Sequence, residues 1–129
     1  MILLDTHMLI WLLIAPEKLS PKAKKAILAA RKSGPLALSA ISLLEIAWLA
    51  ENKRIDIDVS IESFVKKCAS YVQVIPINPE IAVRSVQFPD SYPKDPQDRM
   101  IGATAIVEGF RLLTHDARIA ASGLVPMAM

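Results

Sequence analysis

The chain reads as a parallel α/β domain, a three-layer α/β/α sandwich with a central, mostly parallel sheet. Three observations point there. Short apolar runs alternate with stretches of helical spacing along the whole sequence, and parallel strands need helical crossovers of that kind. The first run, Ile2–Leu4, is too short and too uniformly apolar to alternate, which suits a central strand buried on both faces. No repeat, low-complexity tract or linker-like shift in composition divides the chain, so residues 1–129 are expected to form one domain.

Taken in order, Ile2–Leu4 is the first strand, and the apolar run from Met8 begins a helix ending at Ala15-Pro16. Ser20 before Pro21 has the form of an N-cap followed by proline in the first turn. Ala23, Ala26, Ile27 and Ala30 then recur at helical spacing, and Gly34 closes the segment. Pro35–Ala40 is a strand, and Ser42–Asn52 a helix with Leu43, Ile46, Ala47 and Ala50 on one face. Beyond a polar turn at Lys53–Asp58, Ser60 caps a helix with Ile61, Phe64, Val65 and Cys68 inward. Tyr71–Ile77 is a strand, and Asn78-Pro79 opens a helix reaching about Phe88. Pro89–Gln97, PDSYPKDPQ, is the most irregular stretch and the expected exposed loop. Asp95-Pro96 starts a helix through Glu108, stopped by Gly109. Phe110–Thr114 is a strand, Asp116–Ser122 a short helix, and Leu124–Ala128 a last edge strand.

Composition narrows the class. A hydrophobic fraction of 53% with mean hydropathy +0.37 is high for 129 residues, so a partner chain or self-association is expected. The longest apolar run, Met8–Ala15, is far short of the ~18 residues of a membrane span. No basic segment precedes it, so no signal peptide is expected. The single cysteine, Cys68, excludes an internal disulfide and fits a reducing cytoplasm. A formal charge of +2 permits nucleic acid as a partner without arguing for it.

Four acids fall where strands give way to helices or in the first turns of helices: Asp5, Glu45, Asp98 and Asp116. Each of the last three has a local explanation. Glu45 stands three residues after Ser42, a capping-box spacing; Asp98 suits the first turn of a helix; Asp116 can cap the helix that follows. Asp5, between two apolar runs, has no obvious cap to fill. In a parallel sheet all four positions share one edge. Two carboxylates ~4 Å apart repel by about 4 kcal/mol at an effective dielectric of ~20, so their convergence calls for a cation. Oxygen-only ligands suit Mg²⁺ or Mn²⁺ rather than zinc.

These motifs carry a family resemblance. The sequence resembles the PIN-domain nucleases, and most closely the VapC-like toxins of type II toxin–antitoxin systems. LLDTHMLIWLL resembles the family's opening strand with its first acid, Asp5, followed by Thr6. LSAISLLEIA matches the second segment and picks out Glu45; DPQDRMIGATA picks out Asp98; LLTHDARI picks out Asp116, with Thr114 two residues before it. Gly102 stands where the family often has alanine, a departure expected to loosen helix packing. The resemblance implies a Mg²⁺- or Mn²⁺-dependent endoribonuclease in which Asp5, Glu45, Asp98 and Asp116 form the catalytic and metal-binding set. It also implies an RNA substrate, a homodimer and a cognate antitoxin.

Other residues read more plainly. Thr6 and Thr114 are candidates to hydrogen-bond the acids, and Asp95 is an N-cap. His7 and His115 are left outside the site, because the family resemblance does not call for them. Lys22, Lys24, Lys25, Arg31 and Lys32 form a solvated helix face, whereas Arg99 is a candidate phosphate contact with an ion pair as its rival. Trp11 and Trp48 read as core, dimer or antitoxin contacts rather than base-stacking platforms. Two other classes compete: a non-catalytic binding module whose acids are caps, and a phosphate-handling α/β domain. The latter needs a partner acid two residues after its aspartate, where this chain has His7.

Overall fold

The computed structural model describes residues 1–129. Strands β1 (Ile2–Leu4), β2 (Ala37–Ser39), β3 (Gln73–Ile75) and β4 (Arg111–Leu113) form one parallel sheet in the order β3-β2-β1-β4. Successive strand residues point to opposite faces, and the two cores divide accordingly. Ile2, Leu4, Leu38 and Leu113 join one cluster, packed by α1 (Thr6–Ile14), α2 (Pro21–Ser33), α3 (Ala40–Glu51) and α4 (Ile61–Tyr71). Leu3, Ala37, Leu112 and Ile75 join the other, with α6 (Pro96–Glu108) and α7 (Ala117–Ser122). The expected three-layer sandwich is thus present, with α5 (Pro79–Ser85) packed on α6. The uniformly apolar β1 is fully buried.

Several boundaries differ from the sequence reading, and capping explains most of them. The Asp5 carboxylate accepts from Thr6 N–H at 2.8 Å and caps α1, which therefore starts at Thr6 rather than Met8. Asp5 does have a cap to fill. Ser39 caps α3, accepting from Ile41 N–H at 3.3 Å, so β2 stops before Ala40 and Ser42 is buried inside the helix. Glu45 consequently belongs to no capping box. Tyr71 lies in α4, which shortens β3 to three residues. α5 ends at Ser85 rather than Phe88, consistent with the bias of the residue before Pro89 away from helical backbone. Leu124–Ala128 makes one parallel bridge, Leu112↔Met127, instead of a strand; Pro126 has no N–H with which to extend the ladder.

The stretch Pro89–Gln97 departs most from its expectation of an exposed loop. Tyr92 within it is only 1% exposed and Pro93 is buried. Arg99 secures the segment, its guanidinium donating to the carbonyls of Phe88 (2.8 Å), Pro93 (2.9 Å), Pro89 (3.2 Å) and Tyr92 (3.3 Å). Arg99 is therefore neither phosphate contact nor ion-pair partner. The Tyr92 ring stacks on Phe88, centroids 4.1 Å apart, and its hydroxyl donates to the Asp98 carbonyl at 3.0 Å. That ring lies against Gly102, where a Cβ would meet the Tyr92 hydroxyl and stand 2.9 Å from its Cζ. Gly102 thus permits close packing; it does not loosen it.

Candidate active site

The strand order reverses at β1. From β1 the chain runs outward through β2 to β3, then returns to place β4 on the other side of β1. In open parallel sheets the crevice at the carboxyl ends of the strands flanking such a reversal receives ligands. Asp5 follows β1, and Thr114 and Asp116 follow β4, so both open onto this crevice. The two chain segments are joined there: Asp5 N–H donates to the Leu113 carbonyl at 3.0 Å. Thr114 Oγ1 donates to Asp5 Oδ2 at 2.7 Å and accepts from Asp116 N–H at 3.0 Å. Asp5 is therefore held at both oxygens, one by the start of α1 and one by Thr114, a fixed carboxylate of the kind that metal sites use.

Glu45 reaches the crevice from α3. Burial pushes its carboxyl above the usual range, Thr6 and His7 pull it down, and Asp5 and Asp95 push it up again. The Thr6 hydroxyl also donates to Ser42 Oγ at 2.8 Å, tying the first turn of α1 to that of α3. His7 accordingly lies on a helix on the same side as the acids, not across the sheet from them. Asp98 enters from the first turn of α6, whose N-cap Asp95 accepts from Gln97 N–H at 2.8 Å and Asp98 N–H at 3.4 Å. Its carboxyl is pushed up to about 7, first by burial and then by Asp5, Asp95, Asp116 and Glu45. Negative charge from every other candidate acid therefore converges on Asp98.

Asp116 is the acid committed elsewhere. It caps α7 and pairs with Arg118, whose Nε and Nη2 donate to its two oxygens at 3.3 and 2.9 Å. That hydrogen bonding, Arg118 foremost, holds its carboxyl below the usual range. As the side chains stand, no three acids, histidines or cysteines are gathered tightly enough to grip one ion. The donor set nevertheless fits a hard divalent cation: it is all-oxygen and partly buried, and burial together with the neighbouring acids pushes the Asp98 carboxyl up to about 7. A cavity of about 830 Å³ between α2 and the opposite sheet edge holds none of these acids.

Sequence reasoning named Thr114, which hydrogen-bonds Asp5, but it read Ser42 as a cap rather than a partner of Thr6 and did not foresee the packing of Tyr92 or the role of Arg99. Ser42 meets Thr6 from 36 residues away, and the Tyr92 and Arg99 contacts, though nearer in the chain, follow no helical or strand spacing. The fold and this acidic crevice define a PIN-type domain. A profile of the PIN domain matches residues 2–123, and the chain belongs to the PIN domain family. It is 42% identical over 118 residues to ribonuclease VapC22 of Mycobacterium tuberculosis, covering 92% of this chain and 88% of that protein. It also superposes on a toxin–antitoxin complex from Klebsiella pneumoniae with TM-score 0.70 and 27% identity, covering 100% and 98% of the two chains. VapBC2 from Rickettsia felis, solved bound to a promoter DNA fragment, shares the fold at TM-score 0.74 and 15% identity, covering 98% and 97%.

No helix is long and apolar enough to cross a membrane.

Proposed function

We propose that residues 1–129 form a single divalent-metal-dependent endoribonuclease domain, acting as the toxin of a type II toxin–antitoxin pair in the cytoplasm. The observation that supports this reading best is the Asp98 carboxyl beside the strand reversal, pushed up to about 7 by burial first and then by the charges of Asp5, Asp95, Asp116 and Glu45. The ribonuclease name of a relative at 42% identity supports the substrate class.

Asp5, Glu45, Asp98 and Asp116 would hold Mg²⁺ or Mn²⁺. The ion would neutralise the acids and stabilise the charge that builds on phosphorus-bound oxygen during hydrolysis. Asp5, fixed by Thr6 N–H and Thr114, provides the rigid point of the site. Glu45, half-buried with a raised pKa, orients the attacking water and takes its proton. The water oxygen bonds phosphorus in line as the bond to the 3′ oxygen breaks, leaving 5′-phosphate and 3′-hydroxyl ends. Arg118 must release Asp116 for that acid to join the set. The exposed pair costs little to open.

The test is cleavage. Asp5→Asn and Asp98→Asn should each lose Mn²⁺-dependent RNA cleavage and growth inhibition while keeping their circular dichroism spectra. Undiminished cleavage by either variant refutes the assignment.

One observation favours a second reading, a binding module without catalysis: Asp5, Asp95 and Asp116 all cap helices. Calorimetry with Mn²⁺ and a short RNA separates the two, since a module takes up no metal in either condition. Partners follow from the surface. Leu44 and Trp48, one turn apart on α3, are 61% and 53% exposed, and such a face suits a second copy or an antitoxin segment.

A further inference from the structure

Beside the acids stands a row of three flat rings. His7, in the first turn of α1, has its centroid 5.7 Å from that of Trp11, one turn further along the helix. Trp11 in turn lies 5.8 Å from His115, their planes 30° apart. Both histidines are tied to the crevice by sequence: His7 is two residues beyond Asp5, and His115 stands between Thr114 and Asp116. His7 is also close enough to Glu45 to lower that acid's pKa.

The row is not explained as core. Trp11 is half-buried and leans on the apolar cluster beneath it, but His115 is exposed. The one hydrogen bond to any of the three rings is the weak contact of Ser20 N–H with His115 Nε2, at 3.5 Å. It fixes the edge of the imidazole to the start of α2 and leaves the ring face unengaged. The Trp11 indole lies beside an imidazole that is exposed to solvent. Neighbouring tilted aromatic and imidazole rings beside a phosphate-handling site offer what an unpaired base needs, a π surface near the backbone.

We propose that the His7–Trp11–His115 row is a nucleobase-binding subsite, taking one unstacked base of the RNA next to the bond that is cut. The inference rests on the nuclease reading above and narrows its substrate to single-stranded or locally unpaired RNA, because a base inside a duplex cannot lie on a ring. Base stacking of this kind is worth about 1–3 kcal/mol, so deleting one ring should weaken binding by about tenfold.

Trp11 reports on its own subsite once the other indole is removed. In a Trp48→Phe, Asp98→Asn protein, short oligoadenylate should quench the Trp11 emission, and a ribose-phosphate oligomer of equal length without bases should not. His115→Ala in that background should raise the Kd for oligoadenylate about tenfold, and His115→Phe should restore it. The proposal is overturned if labelled oligoadenylate binds by anisotropy while Trp11 emission stays unchanged and the baseless oligomer binds equally well. If neither oligomer binds and Trp48→Phe alone cleaves no RNA with Mn²⁺, the nuclease reading falls and takes the subsite with it.

Discussion

Asp98 carries the electrostatic state of the site in one side chain. Its carboxyl titrates at about 7 in the fold, against about 3.9 in an unfolded chain. Between those values the folded protein binds more protons than the unfolded one, so stability falls as pH rises. Without divalent ions the melting temperature should therefore drop between pH about 4 and about 7, and Asp98→Asn should flatten that slope. Scanning calorimetry across this range checks it; equal slopes in both proteins would contradict the crowding of charge. Arg118 makes a second prediction at this scale. It pairs with Asp116 from an exposed position, where an ion pair contributes little to stability. Removing it with Arg118→Ala should tighten Mn²⁺ binding roughly two- to fivefold by calorimetry, because a competing cation is gone.

Among the elements, α6 and the loop before it act as one unit. Arg99 gathers four loop carbonyls, and Tyr92 reaches back to the Asp98 carbonyl over a bare Gly102. The loop therefore sets where α6 begins and how Asp98 meets the crevice. Gly102→Ala should destabilise by about 1–3 kcal/mol, the usual cost of overpacking. Helix propensity alone would favour alanine, so the sign tests the contact. The penalty should shrink in a Tyr92→Phe background, where the hydroxyl is absent, and chemical denaturation of the four proteins of that cycle measures the coupling.

At the scale of the whole molecule, a 53% hydrophobic chain leaves part of its apolar surface outside the two cores. Leu44 and Trp48, one turn apart on α3, are both exposed, and a homodimer through that face is the arrangement we expect. Sedimentation should show a dimer, and Leu44→Glu with Trp48→Glu should yield a folded monomer. A monomeric parent protein would remove this face as a self-association site.

Much of this was readable from local patterns. Alternating runs specify a parallel sheet because strands buried on both faces need no alternation and parallel neighbours need helical crossovers. Ser20-Pro21, Ser60, Asn78-Pro79 and Asp95-Pro96 announce helix starts because capping is a short-range interaction. The acids Asp5, Glu45, Asp98 and Asp116 were legible through their place at strand ends and first turns. Only the tertiary structure decided what Arg99 binds, why position 102 is bare, and that His7 stands with the acids. Each of these turns on a contact made through space, and an isolated residue carries no mark of the partner that folding brings to it.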